Sequence, residues 1–195
     1  MTQVIADMAM SIDGFVADTD DRTDALFGWY FGGDVEVPTG TPGFAFRTSE
    51  ASARILREGI ENVGAIVGGR RYYDIAGGWG GRHPMNVPAF IVTHEPPAEV
   101  PGEPGAFTFV TDGVESAIRQ AKEAAGDRWV AVATPTIVRQ CLDAGLLDAL
   151  NVNLVPVVMG SGVPFFAELA SAPIRLSDPV VSEGVGVTHL RYAVS

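Results

Sequence analysis

The sequence predicts an α/β domain built on a mixed, mostly parallel sheet with helices on both faces. Short apolar runs such as AIVGG and RWVAVA alternate with amphipathic stretches through the middle of the chain. Glycine- and proline-bearing turns join them, as strand–helix–strand units require. The chain then ends on a period-two pattern, with Leu190, Tyr192 and Val194 facing one way and His189 and Arg191 the other. With Val180-Val181 and the turn at Glu183-Gly184, that pattern reads as a C-terminal antiparallel hairpin.

Taken in order, Val4–Met10 reads as a buried first strand, followed by a turn at Asp13-Gly14. Residues 18–48 are rich in Asp, Gly, Pro and Thr around one aromatic island, LFGWYF, and read as a long loop holding a short helix. Ser49 suits the N-cap of a helix to about Asn62, with Ile55, Leu56, Ile60 and Val63 along one side. AIVGG is a buried strand entering a glycine turn. RRYYDI opens the next helix, and GGWGGRHP ends it. PAFIVTH and FTFV are strands. Val114, Ala117, Ile118, Ala121 and Ala125 form a helical stripe. RWVAVA is a strand, and the helix after it starts near Pro135, a residue suited to a first turn. Its stripe is Ile137, Val138, Cys141 and Leu142. Ala149–Met159 reads as a long strand, with PFF after a Gly-Ser-Gly turn. No repeat or linker interrupts this order, so residues 1–195 are expected to form a single domain.

Composition narrows the function classes. A net charge of −11 argues against nucleic-acid and anionic-membrane partners, which select basic surfaces. It does not argue against an anionic cofactor, which a few local donors can hold. Cys141 is the only cysteine, so no intrachain disulfide is expected. The opening MTQVIADMAM lacks the basic start and apolar run of a signal peptide, and the expected location is cytoplasmic. His83, His94 and His189 show no metal-ligand spacing, and no metal is expected.

Three junctions carry candidate chemistry. In AIVGGRRYY, Gly69 allows close backbone approach after a buried strand, and Arg70 and Arg71 bring fork-shaped donors suited to a phosphate monoester. The plain alternative is a strand–helix turn with solvated arginines. In VAVATPTIV, Thr134 and Thr136 suit either phosphate oxygens or helix capping. Thr93 and His94 lie at a strand end, the edge where open α/β sheets bind ligands. In the long loop, Asp13 is either a substrate contact or a turn-shaping residue. Asp24 is either a ligand carboxylate or solvated surface. Trp29 and Phe31 either wall a planar ligand or anchor the loop in the core.

These motifs, in this order, resemble the dihydrofolate-reductase-like superfamily, and within it the reductase domain of riboflavin biosynthesis, the RibD C-terminal domain. The opening MAMSIDGFVAD, Gly69-Arg70-Arg71-Tyr72, the strand ending in Thr93 and His94, the turn at 133–136 and the segment Val155–Phe166 carry the resemblance over essentially the whole chain. It implies the three-layer fold of that superfamily and a stand-alone, homodimeric oxidoreductase with NADPH as hydride donor. Its class would be 5-amino-6-(5-phosphoribosylamino)uracil reductase or a dihydrofolate-reductase-like enzyme. Gly69, Arg70, Arg71, Tyr72, Thr93 and His94 would bind the cofactor, Arg70, Arg71, Thr93 and His94 at its 2′-phosphate end, and Ala133, Thr134, Pro135 and Thr136 would cradle its pyrophosphate. In dihydrofolate reductases a carboxylate at the start of the first helix binds the pterin ring, a place that Asp24 would match; Asp13 is the second catalytic candidate, and Trp29 and Phe31 are the candidates to wall a pterin- or pyrimidine-like acceptor. The chain departs from the family where Gly-Gly or Gly-Ala is usual and Thr134-Pro135 stands instead. That departure favours an alternative, a non-catalytic nucleotide-binding or regulatory domain of the same fold.

Overall fold

The computed structural model describes residues 2–195. Along the chain run β1 (Val4–Ser11), β2 (Phe15–Ala17), α1 (Asp24–Phe27), β3 (Val35–Pro38), β4 (Ala45–Thr48), α2 (Glu50–Asn62), β5 (Val63–Gly69) and α3 (Arg70–Ile75). They are followed by β6 (Ala89–Val92), β7 (Phe107–Val110), α4 (Val114–Ala125), β8 (Trp129–Val132), α5 (Pro135–Asp143), β9 (Ala149–Val155), β10 (Val163–Pro164), β11 (Val180–Gly184) and β12 (Val187–Ala193). The main sheet has eight strands in the order β11-β12-β9-β1-β8-β5-β6-β7. Strands β1, β8, β5, β6 and β7 pair parallel, and β9, β12 and β11 pair antiparallel. This is the mixed, mostly parallel α/β sheet that the pattern predicts, with the terminal hairpin in place.

The chain divides into two units. One comprises the residues through Ala6 and Asn62–Asp148; the other comprises Asp7–Glu61 and Ala149–Ser195. In the first unit, Val63 to Gly68 of β5 are all buried, as expected for a parallel strand covered on both faces. The predicted stripes of α4 and α5 are the residues these helices bury. The helix begun by RRYYDI stops at Ile75 and yields to a 3-10 segment, Gly77–Gly81, where Gly78, Trp79 and Gly80 all have positive φ.

The second unit departs further from expectation. Residues 18–48 hold more than a loop and a short helix. After α1 and a 3-10 turn at Gly28–Tyr30, β3 and β4 form an antiparallel hairpin that buries Val37. Its strands are four residues each and the first ends on Pro38, which hides them from a period-two search. The predicted strand to Met159 ends at Val155, because Pro156 has no N–H to continue the ladder. Helix α2 buries Ser52 and Ala53, while Ile55, Leu56 and Ile60 are only half-buried. Ala9, Leu26, Trp29, Val155 and Val187 form this unit's apolar cluster. Among the described residues, no helix is long and apolar enough to cross a membrane.

Candidate functional site

In the first unit, strand register brings three of the sequence-predicted segments to one edge. Gly69 lies beside Val92, and Val67 beside Val132, so β5, β6 and β8 end side by side. Arg70–Tyr72, Thr93–His94 and Ala133–Thr136 therefore follow neighbouring carboxyl ends, where parallel sheets bind ligands. A Cβ on Gly69 would stand 3.5 Å from Thr134 Oγ1, so the turns after β5 and β8 touch.

Arg70 braces this edge. Its Nε donates to both carboxylate oxygens of Asp74 at 2.8 and 3.0 Å, and its Nη1 donates to the Glu95 carbonyl at 2.6 Å. The Thr93 hydroxyl donates to the same carbonyl at 2.9 Å and accepts from the Glu95 N–H at 3.2 Å. Arg71 and His94 are exposed. Tyr72 turns away into the glycine-rich segment, packing edge-on against Trp79. The Met85 N–H donates to His83 Nδ1, so neutral His83 carries its proton on Nε2 and donates to Tyr72 Oη at 3.1 Å. Burial holds the His83 pKa down at about 4 and pushes the Tyr72 phenol up to about 12, so both stay neutral.

The turn at Thr134-Pro135 tests whether a nucleotide fits. Thr134 has φ +90° and ψ 133°, a region that β-branched residues rarely enter. Its Oγ1 is buried and has no hydrogen-bond partner. Pro135 occupies the first position of α5 and supplies no N–H, while Val138 N–H already bonds the Thr134 carbonyl. A hydroxyl donor thus stands where an amide donor is lost, beside the free amides that open any helix. The residues present fit a pyrophosphate, with Thr134 Oγ1 in place of a backbone N–H.

In the second unit, the Asp13 carboxylate accepts from Ser11 Oγ at 2.7 Å and from the N–H groups of Met159 and Gly160 at 3.0 and 2.6 Å. The Ser11 hydroxyl and these amides hold its pKa down at about 2. Asp13 ties the turn after β1 to the loop after β9. Asp24 opens α1 and is exposed. Phe31 is 58% exposed. Trp29 is 4% exposed, stacked on Tyr30 at 3.8 Å, and its buried Nε1 has no partner.

The sequence reading missed a polar network under α2. Ser49 Oγ donates to Ser52 Oγ at 3.1 Å, and Ser52 Oγ meets His189 Nε2 at 2.8 Å. His189 Nδ1 meets Asn153 Oδ1 at 2.6 Å. Asn153 Nδ2 donates to Asp7 Oδ1 at 2.6 Å, and Asn151 Nδ2 donates to Asp7 Oδ2 at 3.0 Å. Cross-strand pairs His189–Asn153 and Arg191–Asn151 place these side chains on one face of β12 and β9. The signals were an aspartate inside the first strand and two asparagines at alternate positions in an apolar one.

Among the described residues, no group of three or more His, Cys, Asp or Glu is placed to hold a metal ion. Residues 2–178 match the family described as the RibD C-terminal domain. No curated protein matches the chain. A structure assigned by name to riboflavin biosynthesis, from Shewanella sp. PV-4, superposes with a TM-score of 0.72 at 21% identity, over 100% of this chain and 99% of that one. Dihydrofolate reductase from Enterococcus faecalis, complexed with NADP(H), gives 0.60 at 14% identity, over 99% and 96%. A pyrimidine reductase-like protein from Corynebacterium diphtheriae gives 0.61 at 13% identity, over 100% and 92%. These likenesses show the dihydrofolate-reductase-like fold.

Proposed function

The chain belongs to the RibD C-terminal domain family, and we propose that it is an NADPH-dependent reductase of the riboflavin or folate type. Its acceptor would be a planar or sugar-linked small molecule, pterin- or pyrimidine-like. Bound NADPH would supply the hydride. The residues of this chain bind and orient. Arg71 and Arg70 meet the 2′-phosphate, with Thr93 and His94 beside them. Thr134 Oγ1 and the amides of Thr136 and Ile137 hold the pyrophosphate. On the acceptor side the candidates are the exposed Asp24 and Phe31, with Trp29 buried behind them and Asp13 fixing the loops. The expected assembly is a cytoplasmic homodimer.

One observation carries the reading most: the buried, partnerless Thr134 hydroxyl at the carboxyl edge of β8, touching the turn after β5. A satisfied cap has no reason to leave that donor idle. Titration calorimetry with NADPH and NADH tests the reading. A charge-assisted bidentate contact predicts about 10- to 150-fold preference for NADPH, lost on replacing Arg71 and Arg70 by Ala. Equal dissociation constants for the two cofactors refute it.

Pro135 favours a second reading, since it removes one amide from the phosphate cradle. In that reading the domain binds a nucleotide without turning over. NADPH consumption with pterin, pyrimidine and quinone acceptors separates the two.

A further inference from the structure

We infer that the outer face of the β3–β4 hairpin carries a small-molecule site for a zwitterion with an aromatic side chain, a free aromatic α-amino acid. Arg47 takes the ligand's carboxylate, Glu36 its ammonium group, and the ring of Phe44 walls its side chain. Residues 36–47 build the whole site, so it rests neither on the cofactor edge of the first unit nor on the reductase reading.

Strand register puts the lining residues on one face. Val35 pairs with Thr48 and Val37 with Phe46, and that face turns inward, with Val37 and Thr48 buried. The intervening pairs, Glu36–Arg47 and Pro38–Ala45, therefore face outward. Glu36, Pro38 and Arg47 are exposed. The two strands form a sheet of their own. Its outer face is not flat, because the tip between the strands walls it in. The result is a cleft of about 430 Å³ whose lining includes Glu36, Pro38, Pro42, Phe44 and Arg47. That volume lies within the range of small-ligand sites.

The wall stands without a ligand to shape it. The Thr39 N–H donates to the Phe44 carbonyl at 3.2 Å, and the Phe44 N–H donates to the Thr41 carbonyl at 3.1 Å. The Thr39 hydroxyl donates to the same Phe44 carbonyl at 2.8 Å and accepts from the Thr41 N–H at 3.1 Å. Gly43, at φ +78°, supplies the left-handed residue that brings the chain into Phe44. The Phe44 ring leans edge-on against Phe46 at 5.4 Å and Phe31 at 6.4 Å, yet remains 41% exposed. A ring fixed in place and open on one side is a preorganised apolar surface, which lowers the ordering cost of binding.

The charges give the ligand class. Glu36 and Arg47 stand directly opposite, where Cβ atoms are about 4.5–5.5 Å apart and opposite charges ordinarily pair. Here they do not. Among the described residues, neither side chain takes part in an ion pair or a hydrogen bond. Arg57 of α2 pairs instead with Glu50 at 3.8 Å and reaches only the backbone carbonyl of Glu36. A purely anionic ligand gains Arg47 and meets repulsion from Glu36; a purely cationic one meets the reverse. A ligand with both charges gains twice. The guanidinium offers parallel N–H donors to a carboxylate, and the Glu36 carboxylate accepts from an ammonium group. An α-amino acid carries both groups on one carbon, which leaves its side chain to Phe44 and Pro42. An aromatic side chain gains most there, since ring pairs add to plain area burial. The plain alternative is a hairpin with two solvated charges. That alternative asks for neither an ordered tip nor a cleft between the charges and an exposed ring.

The test titrates the full chain with phenylalanine and follows backbone amide chemical shifts by NMR. Three controls each lack one group: phenethylamine the carboxylate, 3-phenylpropionate the ammonium, and alanine the ring. Phenylalanine should move the amides of residues 36–47, with half-saturation at about 1 mM, the affinity expected of so small a ligand. Each control should bind about 5-fold more weakly or worse, the worth of one exposed charge contact or one ring pair. Arg47→Gln and Glu36→Gln should each weaken phenylalanine by about the same factor. Both positions are exposed and have no side-chain partner to lose, so the melting temperature should not move. Phe44→Ala should weaken binding too, but it also removes two ring contacts, so the Gln variants decide. Equal affinity in the parent and either Gln variant, equal binding of phenylalanine and 3-phenylpropionate, or no shift at about 10 mM overturns the inference. Phenylalanine binding that depends on Glu36 and Arg47 in a chain that fails to bind NADPH keeps the inference and removes only the reductase reading.

Discussion

Replacing Thr134 by Gly should make the protein more stable and a poorer binder of NADPH. Thr134 sits at φ +90°, ψ 133°. Holding a non-glycine residue in so sparsely populated a region costs about 1–3 kcal/mol. Its buried hydroxyl has no partner, which adds about 1–3 kcal/mol of desolvation that nothing offsets. Glycine removes both. Against this stand about 0.5–1 kcal/mol of extra backbone freedom in the unfolded chain and roughly 1 kcal/mol for the lost methyl contact. The balance is a gain of about 2 kcal/mol, or roughly 4–8 °C in Tm for a domain of this length. Urea denaturation and calorimetry read the stability, and titration with NADPH reads the affinity. The affinity should fall by about 10-fold, the worth of one hydrogen bond to a charged phosphate. A Thr134→Gly protein that is less stable than the parent shows that the side chain packs usefully and that the strain argument is wrong. Unchanged NADPH affinity shows that the hydroxyl is no phosphate donor.

Gly184→Ala should destabilise by about 1–3 kcal/mol, because its Cβ would press on Ser52 Oγ and lie 3.3 Å from His189 Nε2; a stability within about 0.5 kcal/mol of the parent in urea would mean that the Ser52–His189 contact shifts freely. As an acceptor contact, Asp24 should not tolerate loss of charge. Asp24→Asn is expected to lower kcat/KM by about 100-fold, roughly 2.7 kcal/mol, without moving the NADPH dissociation constant, and normal turnover would mark it as solvated surface. Strand β11 is an outer edge of the sheet with Val180 and Val181 exposed, a feature that proteins usually cover. Sedimentation at micromolar concentration should give twice the 20.6 kDa chain mass, and a monomer mass refutes the pairing.

Legibility followed how locally each feature is encoded. The stripes of α4 and α5 and the buried run of β5 were readable because each element buries one continuous apolar surface, and periodicity reports that directly. The strand ends at Gly69, before Thr93 and before Thr134 were readable because strand ends are marked by glycine and small polar residues. The face of α2 was not readable. Its inward residues include Ser52, whose partner His189 lies 137 positions away, so the helix looks amphipathic around the wrong side. Apolar periodicity assumes that what is buried is greasy. Beneath α2 the buried layer is Ser52, Asn153 and His189, and that assumption hides them. Asp7 escaped notice for the same reason, since a charge inside an apolar strand looks like an interruption of the pattern. Polar residues that break a strand's pattern at alternate positions, as Asn151 and Asn153 do, share one face. When a second strand breaks its pattern too, as β1 does at Asp7, the two interruptions are better read together than as separate flaws. In this chain they meet at hydrogen-bonding distance, with both oxygens of Asp7 held by asparagine amides at a position the apolar pattern gave little reason to single out.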